Sequence, residues 1–322
     1  MASCIAAVVQ ASTVMFDRDA TVQVARHWMA EAAARGAQVV VFPEAFLGGY
    51  PKGADFHIYV GGRTAQGRRE FQQYYDGAVD MDGPELKALA AAAGEFGLYV
   101  CIGIIERDAG TLYCTAVYLG PQGTILGKHR KLMPTAAERL MWGFGDGSTL
   151  RAVDTPFGKL GAVICWENYM PALRLAMYQQ NVAIYCAPTA DDRDTWISTM
   201  QHIALEGRCF VLSACQYLRH EQFPGSIENR LEGQGDAPLM RGGSLIVAPS
   251  GQVLAGPLYG EDGMLVAELD LDDIARARFD FDATGHYARP DVFQLQVDTR
   301  AKPAVAFHGA AAAGSGSVAS AD

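Results

Sequence analysis

The sequence predicts an α/β fold built in layers, with mixed sheets covered by helices, and three observations carry that reading. Apolar runs of strand length alternate with segments of helical period. Two hairpin signals interrupt the alternation, which mixes antiparallel pairs into an otherwise parallel pattern. The same order of elements then recurs in the second half of the chain, implying two similar halves.

Taken in order, Cys4 to Gln10 reads as a buried strand. Asp17 to Arg35 carries Ala25, Trp28, Met29, Ala32 and Ala33 at helical spacing, and Gly36 can end that helix. Val39-Val-Val-Phe-Pro43 is a second buried strand that stops at Glu44. Pro84 to Phe96 reads as a helix and Leu98 to Ile105 as a strand. Leu112 to Leu119 and Thr124 to Gly127 flank Gly120-Pro-Gln-Gly123, a hairpin turn. In the second half, Leu160 to Ile164 is a strand ending at Cys165, and Pro171 opens a helix, since Pro is tolerated at the first helical position. Val182 to Ala187 is the next strand, Asp194 to Glu206 a helix and Phe210 to Ala214 a strand. Ser244 to Ala248 and Gln252 to Ala255 form the matching hairpin around Pro249-Ser-Gly251. Residues 1–308 read as a single domain, and the Ala-, Gly- and Ser-rich segment 309–322 as a disordered tail.

Composition excludes several function classes. With 322 residues and half of them hydrophobic, the chain can bury a large core. A formal charge of −10 argues against a nucleic-acid surface or a polybasic membrane contact. Seven cysteines include no C-x-x-C pair, and seven histidines include no H-x-x-x-H, so neither a zinc site nor a disulfide framework is expected. The N-terminus lacks a basic region and reads as a strand rather than a signal peptide, and no apolar run reaches membrane-spanning length. The expectation is a cytoplasmic protein.

Three reactive groups stand at strand ends, where ligands gather in open α/β sheets. They are Glu44, Lys131 after the hairpin strand, and Cys165 at the seam before a helix start. Backbone N–H groups at such a seam favour a thiolate. A nucleophile, a carboxylate and an ammonium converging there form a pattern of covalent catalysis. Each also has a plainer reading. Cys165 can be a small core residue, Glu44 a solvated loop residue, and Lys131 part of a solvated basic face with Lys128, His129 and Arg130.

Phe42-Pro-Glu44-Ala-Phe, His129-Arg-Lys131-Leu-Met-Pro-Thr and Gly161-Ala-Val-Ile-Cys165-Trp-Glu-Asn resemble the signature segments of the nitrilase branch of the carbon–nitrogen hydrolase superfamily. The resemblance continues through Glu138 to Gly147, Tyr185 to Ala190, His202 to Gly207 and Gly285 to Phe293, spanning residues 3 to about 300. It implies a four-layer αββα sandwich of two mixed sheets with pseudo-twofold halves. It also implies a Glu44-Lys131-Cys165 triad, with Glu138 as a further glutamate near the lysine. Trp166 and Glu167 resemble true nitrilases rather than amidases. The segments Gly48 to Pro51 and Tyr185 to Thr189 look like plant and related bacterial enzymes that accept arylacetonitriles. Phe144 departs from the family, where many relatives carry glutamine.

The implied chemistry is hydrolysis of a nitrile by two waters to a carboxylic acid and ammonia, through a thioimidate and then a thioester on Cys165. Glu44 acts as general base, Lys131 and the Trp166 backbone N–H stabilise developing charge, and Glu138 positions Lys131. No metal or organic cofactor is required. Tyr50, Trp142, Tyr169 and Thr189 are pocket candidates, whereas Trp28 and Trp196 are expected to pack in the core. Rival readings are a cyanide dihydratase or aliphatic amidase with the same triad, a non-catalytic scaffold, and, less well matched, a papain-like Cys–His enzyme. The expected partners are a small nitrile and other copies of the chain. Pro171 to Gln180, with Met170 just before it, carries Leu173, Leu175, Ala176, Met177 and Tyr178, an apolar surplus that, with the family's pairing through this helix, implies at least a homodimer, a building block that the resemblance extends to a spiral.

Overall fold

The computed structural model describes residues 3–231 and 237–305. The tail expected from residue 309 lies outside the described residues. The chain begins with β1 (Ser3–Gln10), α1 (Arg18–Ala34) and β2 (Val39–Val41). A small hairpin, β3 (Ile58–Tyr59) and β4 (Gly62–Arg63), and the helix α2 (Ala65–Asp76) follow. Helix α3 (Pro84–Phe96) leads into the meander β5 (Tyr99–Asp108), β6 (Thr111–Gly120) and β7 (Thr124–Arg130). The second half opens with β8 (Val153–Thr155), β9 (Gly158–Ala162) and α4 (Pro171–Gln179). It continues through β10 (Val182–Thr189), α5 (Thr195–Gly207), β11 (Phe210–Cys215) and β12 (Tyr217–Leu218). It closes with β13 (Met240–Val247), β14 (Val253–Tyr259), β15 (Gly263–Asp270) and α6 (Asp272–Asp280).

Helix ends follow local chemistry. The Asp17 carboxylate caps α1 by accepting the Ala20 N–H, and α3 starts on Pro84 and stops at Gly97, whose φ of 70° is the left-handed turn glycine tolerates. Two large mixed sheets form, in the orders β15-β1-β2-β5-β6-β7 and β12-β13-β11-β10-β9-β8, with β14 pairing β13. In each, three parallel strands are continued by an antiparallel hairpin. β1, β2 and β5 lead to β6–β7, and β9, β10 and β11 lead to β13–β14. That correspondence is the pseudo-twofold relation of the halves.

Period-2 alternation explains the layers. Along β1, Cys4, Ala6 and Val8 join the core between the sheets, while Ala7 and Val9 face α1 and α3. Along β11, Phe210, Leu212 and Ala214 point inward, while Val211 packs with residues of α4 and α5. With both faces buried, the strands read as continuous apolar runs, and the stack is helix, sheet, sheet, helix.

Two expectations need correction. The strand before Cys165 ends at Ala162, and a 3₁₀ turn, Cys165–Tyr169, intervenes before Pro171 opens α4. The apolar surplus of α4 is mostly internal. Leu173, Met177 and Tyr178 are buried, leaving Leu175 (38 % exposed) as the large apolar side chain that faces outward. No described helix is long and apolar enough to cross a membrane.

Candidate active site

Consecutive parallel strands end on one side of their sheets, so the loops after them meet. Phe42 and Pro43 carry the chain from β2 to Glu44, Lys131 directly follows β7, and Cys165 follows β9. All three side chains are buried, Lys131 with 1 % exposure. Lys131 Nζ donates to Glu44 Oε1 at 2.7 Å and to Glu138 Oε2 at 2.8 Å. Glu138 is held in turn by the Thr135 N–H at 2.6 Å on Oε2 and the Tyr50 hydroxyl at 2.7 Å on Oε1. The Thr189 hydroxyl, at the end of β10, donates to Cys165 Sγ at 3.2 Å.

One buried cation therefore faces two buried carboxylates. Burial alone would discharge Lys131, but the carboxylates of Glu44 and Glu138 outweigh it and hold its pKa well above the ordinary lysine value. Burial pushes the Glu44 carboxyl up, Lys131 pulls it down, and Glu138 adds to the rise. Glu44 Oε1 is shared by Lys131 and, at 3.5 Å, the Cys114 thiol. Glu44 Oε2 is buried and has no hydrogen-bond partner among the described residues. A carboxylate pinned through one oxygen and free at the other is prepared to take a proton.

The pull toward negative charge expected at this strand end is outweighed. Burial, followed by the charge of Glu44, pushes the Cys165 thiol well above its ordinary value, and Lys131 and Thr189 only partly oppose this. The thiol is neutral at rest and needs a base. Its backbone is unusual, with φ of 51° at Cys165, and Ala45 beside Glu44 and Ala136 near Glu138 share that left-handed region at 50° and 45°. Non-glycine residues there are strained, and such strain clusters at functional sites. The Asn168 amide holds the turn by donating to the carbonyls of Val163 and Cys165, and Tyr185 and Arg174 bond to Asn168.

The aromatic candidates separate into two groups. Trp142 is buried, its indole N–H on the Tyr74 hydroxyl, its ring 5.6 Å from Lys131 Nζ and edge-on to Tyr50. Trp166 (42 % exposed) and Tyr169 lie at the surface edge-to-face, with Arg193 over Trp166 and the Trp166 indole on Asp191. Tyr169 is as exposed as Trp166, and its ring also meets the buried Trp196 edge-to-face. Trp196 is buried in the core as expected, while Trp28 packs partly buried against the layer under α1. Phe144 is exposed.

Several residues escaped sequence reasoning. Lys128, His129 and Arg130 do not share a solvated face. Lys128 and Arg130 bond the buried Glu106, and His129 turns inward to Glu167. The alternation of β7 was the available signal. Gln216, just past β11, donates to the Glu44 carbonyl at 2.8 Å. Cys114 lies on the inward face of β6, the strand that pairs with β7 and so with the approach to Lys131.

Comparison with known proteins identifies the family. The model of the carbon-nitrogen hydrolase family matches residues 5–279. An aliphatic nitrilase of Sinorhizobium fredii (strain HH103) is 63 % identical over 300 residues, covering 93 % of this chain and 97 % of the relative. A bifunctional nitrilase/nitrile hydratase of Lupinus angustifolius is 56 % identical, covering 91 % and 85 %. A solved carbon-nitrogen hydrolase from Helicobacter pylori G27 superposes with a TM-score of 0.72 at 19 % identity, covering 90 % and 97 %, and shares the fold. Family model, sequence relatives and fold converge, and the chain belongs to the carbon–nitrogen hydrolase family, in its nitrilase branch.

Proposed function

We propose that the protein hydrolyses a nitrile to the carboxylic acid and ammonia, with Cys165 as nucleophile. The observation that carries this is a buried thiol that feels the charges of Glu44, Lys131 and Glu138, with Lys131 bridging the two carboxylates. Glu44 Oε2 takes the thiol proton as sulfur adds to the nitrile carbon, and the nitrogen is protonated to give a thioimidate. Water adds with Glu44 as base, and the tetrahedral carbon bears hydroxyl, amine and sulfur. Loss of ammonia leaves a thioester, which a second water hydrolyses to the acid, restoring the thiol. Lys131 and the Trp166 backbone N–H stabilise the charge that develops at nitrogen and oxygen, and Glu138 with Tyr50 keeps Lys131 in place. Loss of sulfur instead of ammonia would release the amide.

For the substrate, we favour arylacetonitriles, because an sp³ carbon lets a ring turn toward the aromatic walls at Tyr50–Trp142 or Trp166 while the nitrile meets Cys165. A second reading, short aliphatic nitriles, is supported by the description of the Sinorhizobium relative as an aliphatic nitrilase. We place the enzyme in the cytoplasm, a setting suited to seven cysteines that are all free. Ammonia release from phenylacetonitrile, benzonitrile, mandelonitrile, an aliphatic dinitrile, cyanide and the matching amides tests these readings. Turnover of nitriles with phenylacetonitrile highest in kcat/KM is expected. A higher value for an aliphatic nitrile or benzonitrile rejects the aryl preference, and turnover of amides or cyanide alone rejects nitrile hydrolysis.

A further inference from the structure

Lys131 and Cys165 belong to different sheets, one following β7 and the other β9. Neither strand ladder sets the distance between them. One buried carboxylate crosses that gap. Glu167 Oε1 accepts the N–H of Leu132, the residue after Lys131, at 2.6 Å. Its Oε2 accepts the N–H of Ile164, the residue before Cys165, at 2.9 Å. His129 Nε2, from β7, lies 3.3 and 3.1 Å from the same two oxygens. Glu167 and His129 are each 1 % exposed. His129 Nδ1 is buried with no partner among the described residues, so a proton there would have no acceptor, whereas a proton on Nε2 points at the Glu167 carboxylate.

We propose that Glu167 and His129 are positioning residues that set the placement of Lys131 against Cys165 across the two sheets, touching neither substrate nor reacting atoms. The proposal rests on the roles given above to Lys131 and Cys165. Each loop keeps its own anchors without the clamp. The Lys131 N–H donates to the Cys114 carbonyl and the Lys131 carbonyl accepts from Gly145, while Asn168 holds the Cys165 carbonyl. Losing the clamp therefore shifts one intact loop against the other. A misplacement of about 1 Å costs on the order of 10²-fold in rate.

The test is steady-state kinetics on the full chain, with circular dichroism and thermal melting as controls, using a nitrile that the wild type turns over. Glu167→Gln presents an amide NH₂ to one of the two backbone donors. It should lower kcat about 10²-fold while KM changes by no more than about threefold, as expected for a loss confined to the transition state. His129→Leu should lower kcat roughly tenfold, and His129→Gln, which can still donate to Glu167, should recover most of it. A folded Glu167→Gln or His129→Leu variant with kcat within about threefold of wild type overturns the proposal, as does equal impairment of the Leu and Gln variants at 129. If none of the three folds, the pair is a stability element and the proposal falls. A wild type inert toward every nitrile, or a fully active Cys165→Ala variant, instead overturns the site assignment, a result distinguishable from an active wild type with undiminished clamp variants.

Discussion

Replacing Lys131 with methionine keeps the chain's girth in a closed site but removes the cation between Glu44 and Glu138, 2.7 and 2.8 Å away. In the proposed mechanism the ammonium is a donor at the reacting centre, and loss of one such donor costs on the order of 10²–10³ in rate. A second effect adds to the first. Lys131 is the main influence lowering the Glu44 carboxyl against burial and Glu138, so without it that carboxyl rises further and less of it is in the basic form. Each unit by which that pKa exceeds the assay pH removes about another tenfold of the basic form. Removing one partner of a buried ion pair also costs about 3–5 kcal/mol. At roughly 2–4 °C per kcal/mol for domains somewhat smaller than this one, melting should fall by no more than roughly 6–20 °C. The pH dependence has a defined sign. A carboxyl whose folded pKa is raised keeps a proton that the unfolded chain releases, so stability falls as pH rises from the unfolded value toward the folded one. The deficit against wild type should therefore be smaller near about pH 5.5 than near about pH 9, whereas residual activity should rise toward the alkaline end. Melting curves and ammonia release at both values check this. Activity within about tenfold of wild type, or an equal melting deficit at both pH values, refutes the reasoning.

Cys165→Ala should abolish turnover with the fold retained, and mass spectrometry of wild type trapped with a slow nitrile should find the adduct on the Cys165 peptide; an adduct on Cys114 would reject the assignment. Cys114→Ala removes a donor from Glu44, which Lys131, Glu138, Cys165, Tyr50 and Tyr74 also face. A hydrogen bond of about 0.5–1.5 kcal/mol at roughly 1.4 kcal/mol per unit should move the acid limb of kcat/KM up by about half a unit to one unit, with Cys114→Ser holding it near wild type. An unmoved limb in Cys114→Ala would show that the thiol does not tune the base. We also propose that the chain assembles as at least a homodimer through α4. Leu175→Glu, on its outward face, should lower both the mass seen by light scattering and the activity, whereas a fully active wild-type monomer ends that idea.

The strands and the site were legible to different degrees. β1, β2, β10 and β11 are buried on both faces, so their apolar runs stood out, and Glu44 was read from its place just after one of them. The segment from 51 to 83 was not legible, because the hairpin strands β3 and β4 are two residues each and α2 has a largely polar surface. Nor was β15, which pairs antiparallel with β1 across almost the whole chain and leaves no local trace of its partner. In the site, the triad was carried by motif. The His129–Glu167 contact was hidden, since a histidine inside a basic run gives no hint that strand pleating turns it away from its neighbours. The outward face of α4 was overestimated, because composition does not say which apolar residues the sheet beneath absorbs.

The left-handed backbone of Cys165 has a consequence for how this protein responds to selection. At φ of 51° an L-residue carries strain on the order of 1–3 kcal/mol, whereas glycine adopts the same geometry freely. Glycine also costs more backbone entropy in the unfolded chain, which offsets part of that relief. Where relief exceeds the offset, Cys165→Gly is more heat-resistant than the working enzyme and catalytically dead. A laboratory campaign that ranks variants by survival of heating alone would therefore be drawn toward inactivation at this one position. Thermal robustness and turnover pull on the same pair of dihedral angles, so engineering of this scaffold has to score both together.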